Sequence, residues 1–132
     1  MSEENVEIVR FAYREGYERR TIETLREVVA DDFCFHMRPG WPGRPLYRFD
    51  EMPQAWADLD DTYIEYSLVP ERFAAVEDYV LVTLRQSARV RGSDARVEST
   101  IWHVWRLGNG KALEAWTFDY EEDALEAVGL RE

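Results

Sequence analysis

STIWHVWRLGNGKALEAWTFDY, residues 99–120, reads as two strands around a tight reversal. Gly108, Asn109 and Gly110 tolerate the positive φ that a hairpin turn demands. A half-buried antiparallel hairpin is apolar on one side and polar on the other. Here Ile101, His103, Trp105 and Leu107 share one parity of the first arm, while Trp102 and Val104 share the other. Trp116 and Phe118 oppose Leu113, Ala115 and Thr117 in the second arm. Both faces of the hairpin therefore need cover.

Upstream the pattern is also β. Tyr79–Arg91 alternates, with Val80, Val82, Leu84, Ala88 and Val90 on one face and Thr83, Arg85, Ser87 and Arg89 on the other. Gln86 interrupts the apolar row as a hydrogen-bonding side chain at its rim. Tyr63–Val76 is a further long strand, and Pro70 within it predicts an edge position or a bulge. Ala95–Leu107 follows a Gly-Ser-Asp turn.

Before these strands the period changes to that of a helix. Val6, Val9, Tyr13 and Tyr17 form one stripe from Glu3 to Arg19, with Gly16 as its weak point. Thr21 is placed to cap a second helix carrying Ile22, Leu25, Val28 and Val29. DFCFHM (Asp32–Met37) alternates as a short strand, and the prolines and glycines of Arg38–Pro45 make a loop. Asp50 is placed to cap a third helix, with Pro53 in its first turn and Met52, Ala55, Trp56 and Leu59 on its buried stripe. EEDALEAVGL closes the chain as a short helical tail.

These elements predict a single α+β domain over residues 1–132, its helices on one face of a strongly twisted, mainly antiparallel sheet. Between helices and sheet the expected space is a cone-shaped cavity. The opposite apolar face predicts a homodimer through Ile101, Trp105, Trp116 and Phe118. The formal net charge of -11 argues against nucleic acid and anionic membrane surfaces as partners. Cys34 is the single cysteine, so no internal disulfide forms. With no signal-peptide pattern and no apolar run of membrane-spanning length, the expected compartment is the reducing cytoplasm.

ENVEIVRFAY, LREVVADDFCFH, PLYRFDEM, HVWRLGNGK and EDALEAVGL, in that order and spacing, resemble the SnoaL-like branch of the nuclear transport factor 2-like superfamily. Ketosteroid isomerases, limonene epoxide hydrolases and polyketide cyclases belong to the same superfamily. The resemblance spans essentially the whole chain and implies a cone-shaped barrel: a curved sheet packed on three N-terminal helices. It implies the fold strongly and the chemistry weakly, because one cone hosts enzymes, binders and association modules.

The residues alone leave the hairpin register open. A three-residue loop pairs Leu107 with Lys111, and a four-residue loop pairs Arg106 with Lys111. One residue of slip exchanges the faces of an arm. The likeness to ketosteroid isomerases favours the longer loop, which implies Trp102, Val104, Ala115, Thr117 and Asp119 in the cavity. Ile101, His103, Trp105, Glu114, Trp116 and Phe118 then point outward.

Carried onto this sequence, the isomerase tyrosine falls on Tyr13, the base on Met37 and the second acid on Trp102. Neither Met37 nor Trp102 moves a proton, so that isomerisation is not expected. Asp119 is the remaining carboxylate by parity, and the pocket aspartates of SnoaL-like cyclases and epoxide hydrolases point to it as an acid/base with Tyr13. Its place at a strand end also fits a merely solvated group. Tyr17, Met37, Arg38, Trp41, Trp56, Gln86, Trp102, Val104, Ala115 and Thr117 complete the expected binding surface. His103 is expected to pair with Glu114, and His36 to point away from the cavity. Neither a metal site nor a cofactor fingerprint is expected. The expected function is binding of a small, largely apolar ring compound with acid/base catalysis of isomerase, cyclase or epoxide-hydrolase type. The alternative is a non-catalytic binding or dimeric association module.

Overall fold

Six strands form one sheet in the order β2-β1-β6-β5-β4-β3. They are β1 (Val29–His36), β2 (Leu46–Arg48), β3 (Tyr63–Val76), β4 (Tyr79–Val90), β5 (Arg96–Gly108) and β6 (Lys111–Phe118). The helices are α1 (Ser2–Tyr13), α2 (Ile22–Leu25), α3 (Met52–Thr62) and α4 (Glu121–Ala127). This computed structural model describes residues 2–39, 41 and 43–129; Gly40 and Pro42 of the expected loop and Leu130 of the expected tail lie outside the described residues. No described helix is long and apolar enough to cross a membrane.

The fold is α+β, as the order of elements predicts, but the sheet is mixed. Strands β3 to β6 run antiparallel to one another, whereas β1 lies parallel to β6. β1 also begins three residues before the expected Asp32. Val29 faces Ala112, whose N–H donates to the Val28 carbonyl at 2.7 Å, so the strand takes Val29 from the expected second helix. A β-branched pair suits that extended backbone better than a helix. Asp50 makes no cap bond; Glu51 instead accepts the Arg48 N–H at 2.9 Å and starts the turn that leads into α3. Pro70 sits on edge strand β3 beside a register shift, as its missing N–H requires.

The hairpin corrects the expected register. Gly108 faces Lys111 across a two-residue turn, with Asn109 at φ 54° and Gly110 at φ 77°. Both positive values suit the right-handed twist of the flanking strands. Leu113 is then squeezed out as a bulge, so Arg106 faces Glu114, Trp105 faces Ala115 and His103 faces Thr117. His103 was expected opposite Glu114; the three-residue difference is odd and exchanges the faces of β5 relative to β6.

Consequently Ile101, His103, Trp105 and Leu107 share the inner face with Ala112, Ala115 and Thr117. They pack with Val80, Val82 and Leu84 of β4 beneath Val9, Ala12 and Tyr13 of α1. Trp102 and Val104 lie on the outer face, contrary to their expected place in the cavity. There Val104 and Leu81 form a second core with Ala124 and Val128 of the C-terminal segment. The expected dimer patch divides as well: Ile101 and Trp105 are interior, and only Trp116 and Phe118 remain outside. The polypeptide's own last helix thus covers part of the second greasy face.

Candidate functional site

Burial of a polar group in this core requires a partner for each of its atoms. Tyr13, on the last turn of α1, meets that demand with β5. Its hydroxyl lies 2.7 Å from His103 Nδ1 and accepts the Trp105 indole N–H at 2.9 Å. The histidine tautomer decides whether the tyrosine oxygen donates to Nδ1 or accepts a second hydrogen bond from it. Burial holds His103 neutral, its pKa brought down to about 3. Burial likewise lifts the Tyr13 phenol well above its usual value. The rings of Tyr17, Phe35 and Trp105 surround the pair.

Thr117 faces His103 across the strand pair, and its buried Oγ1 has no hydrogen-bond partner among the described residues. On β4, Gln86 is 6% exposed rather than on a rim. It accepts from the Tyr66 hydroxyl at 3.1 Å and donates to Ser99 Oγ at 2.9 Å. Burial pushes the Tyr66 phenol up to about 12, and the Arg38 charge opposes that rise. Burial raises the Tyr17 phenol far above normal, and the nearby Tyr66 adds to that rise. The inner face therefore carries polar groups from α1, β3, β4, β5 and β6 in an otherwise apolar wall.

Arg38 and Asp119 stand apart from Tyr13. Arg38 Nη1 lies 3.6 Å from Asp119 Oδ1, and the Asp119 side chain keeps 35% of its surface exposed. Tyr13 spends its hydroxyl on His103 and Trp105, so the structure does not join it to Asp119. Met37 packs at the margin of the main core. Trp41 donates its indole N–H to the Tyr47 hydroxyl at 2.9 Å, which donates on to Asp58 at 2.5 Å. The loop tryptophan is thereby pinned to α3. Trp56 packs on the core with its Nε1 buried and without a hydrogen-bond partner among the described residues. At the apolar end a void of about 20 Å³ lies among Ala12, Gly16, Leu25, Phe33, Phe49 and Met52.

His103 is the residue that the sequence misplaced most. Alternation alone groups it with Trp105, and the Asn-Gly pair signals the two-residue turn; that turn by itself keeps the expected faces, and the extra residue at Leu113 exchanges them. Leu113, one residue too many for regular pairing, has no such signal. On the outer face Glu114 pairs with His36, not His103: His36 Nε2 lies 2.6 Å from Glu114 Oε2. Cys34 and Arg106 complete that group.

A sheet closed on its inner face by α1 and α3, with a buried polar row, defines the nuclear transport factor 2-like class of α+β domain. Within that class the chain belongs to the SnoaL-like domain family, whose model matches residues 10–115. No curated protein matches it. Among solved structures it is similar to a nuclear transport factor 2-like protein of Burkholderia xenovorans LB400, with TM-score 0.77, 20% identity and 98% of each chain covered. It is also similar to a protein of Jannaschia sp. CCS1 assigned to the SnoaL-like polyketide cyclases, with TM-score 0.72, 18% identity, and 99% of this chain and 95% of that one covered. TerC, co-crystallised with polyporic acid, matches with TM-score 0.75, 17% identity, and 95% of this chain and 98% of that one covered. At such identities the likeness speaks for the fold.

Proposed function

We propose that the chain binds a small, largely apolar ring compound between the helices and the inner face of the sheet. The carrying observation is Thr117 Oγ1, buried beside His103 with no partner among the described residues. A hydroxyl in that state is completed by a polar atom of a guest, and an apolar wall with few fixed polar groups suits a ring compound bearing one. His103, its neutral imidazole across the strand pair from Thr117, is a second polar group for the same guest. Ligand-sized cavities hold about 300 Å³ or more, so entry requires inner side chains to repack around the guest. Tyr17, Met37 and Gln86 complete the wall, and Arg38 with Asp119 forms a charged lip. In the catalytic form of this reading Asp119 exchanges a proton with the bound ring, as in a cyclase, isomerase or epoxide hydrolase. The Arg38–Asp119 pair also favours a second reading, in which the domain binds without turnover.

Polyporic acid, the ring compound present with TerC, serves as a first probe. Titrated into the chain, it should quench tryptophan fluorescence saturably. Thr117→Val should weaken binding about tenfold, the equivalent of one hydrogen bond of about 1.4 kcal/mol. A panel of ring compounds that all fail to saturate would remove the proposal. With a bound ring identified, product analysis separates the two readings: turnover lost in Asp119→Asn with binding retained supports catalysis, and binding without turnover in the unaltered chain supports the binder.

A further inference from the structure

The outer face carries a cluster that the buried site does not use. Cys34 and His36 are two residues apart on β1 and so project from the same side of the strand. β6 runs alongside, placing Glu114 directly against Cys34 and Trp116 against His36. The indole of Trp116 stacks on the imidazole at 5.3 Å and 4°. That stacking fixes the ring plane with Nε2 toward Glu114. Arg106 holds the other carboxylate oxygen, Oε1, at 3.2 Å, which leaves Oε2 for the two β1 side chains.

We propose that Cys34 Sγ, His36 Nε2 and Glu114 Oε2 form a binding site for one Zn²⁺ ion. The three atoms lie within 4.8 Å of one another. Sγ is 3.8 Å from Nε2 and 3.7 Å from Oε2, while Nε2 and Oε2 are 2.6 Å apart. Tetrahedral zinc with ordinary Zn–S, Zn–N and Zn–O lengths requires about 3.6 Å between sulfur and either lighter ligand, and about 3.3 Å between nitrogen and oxygen. Two of the three separations are already close to that geometry. The third opens by less than an ångström when a metal replaces the hydrogen bond. Sulfur, imidazole and carboxylate together suit a borderline-soft divalent ion rather than Mg²⁺ or Ca²⁺.

Charge balances as well, since thiolate and carboxylate neutralise the dication. Binding breaks the S–H bond and the Nε2–H bond that makes the hydrogen bond to Glu114. The thiol proton leaves to solvent, Nε2 gives up its proton to bind the metal, and the imidazole keeps one proton on Nδ1, exchanged through solvent. Arg106 then acts as the outer partner that orients the carboxylate. Of the three ligands His36 also lines a groove of about 600 Å³, together with Met37, Trp116, Thr117 and Phe118, through which solvent reaches the site. A water or a small anionic ligand completes the shell there. None of its three ligand residues belongs to the ring-binding proposal, so the existence of the site is independent of that proposal, although Thr117 and Met37 line the adjoining groove.

The test uses the full chain, reduced and stripped of metal with a chelator. Calorimetric titration with ZnCl₂ should give one equivalent. CoCl₂ should give a thiolate-to-cobalt charge-transfer band together with the visible bands of a tetrahedral ion. Cys34→Ser should abolish the charge-transfer band. His36→Gln and Glu114→Gln should each weaken zinc at least about tenfold. Because Cys34 is the only cysteine, a second measurement needs no variant: zinc should slow its reaction with a disulfide reagent at least about tenfold. A chain that binds no stoichiometric zinc, binds it equally well in all three variants, or leaves Cys34 unprotected overturns the proposal.

Discussion

Tyr13 ties α1 to β5 through a single oxygen. Tyr13→Phe keeps the ring and strands two buried groups, the Trp105 N–H and His103 Nδ1. Urea unfolding of that variant should show a loss of about 1–3 kcal/mol. His103 adds a pH dependence of known sign. Its folded pKa of about 3 lies below the ordinary value, about 6.5 in the unfolded chain. Between those values the unfolded state binds a proton that the native state refuses. This contribution is therefore complete above about pH 6.5 and falls by about 1.4 kcal/mol per pH unit on acidification toward pH 3. Unfolding at pH 7.5 and 5.5 should show His103→Gln losing about 1.4 kcal/mol less than the unaltered chain over that interval. Tyr13 was readable from the helical stripe and the resemblance. Its partner was not, because the face of an imidazole in a strand depends on a register that the residues around Gly108 leave open.

Among the elements, the β5–β6 hairpin teaches most. Its existence follows from Asn-Gly between two apolar arms, and the long antiparallel strands follow from alternation such as Val80, Val82 and Leu84. The face assignment failed at Leu113, where nothing local distinguishes a bulged leucine from a paired one. β2 escaped notice for another reason: Leu46–Arg48 is too short to alternate and exists through pairing with β1. Gly110 tests the turn cleanly. A methyl group there would meet nothing within 4 Å, so only its φ of 77° opposes a side chain. Gly110→Ala should cost about 1 kcal/mol, measured by urea unfolding with near-ultraviolet dichroism unchanged. A negligible cost would point to a different turn.

At the scale of the molecule, the two greasy faces have unequal fates. The inner one meets α1 and α3. The outer one meets α4 over Val104 and Leu81, leaving Trp102, Trp116 and Phe118 partly uncovered. We propose that this remainder pairs two copies of the chain. Sedimentation at micromolar concentration should report twice the 15.6 kDa chain mass, and Trp116→Glu should return it to a monomer. A single-chain mass for the unaltered protein would refute the pairing. The fold class was legible because composition, alternation and helical stripes agree. The Cys34–His36–Glu114 group was not, since it is assembled by a parallel contact between residues 80 positions apart.

That parallel contact bears on biosynthesis. β1 leaves the ribosome early, yet its long neighbour β6 is translated almost last. Until then Phe35 has only the three-residue β2 beside it in the sheet, and Phe33 lies beyond the reach of that pairing. The nascent chain must shelter that half-finished edge through most of its own translation, and a pause late in the message would prolong its exposure to other polypeptides.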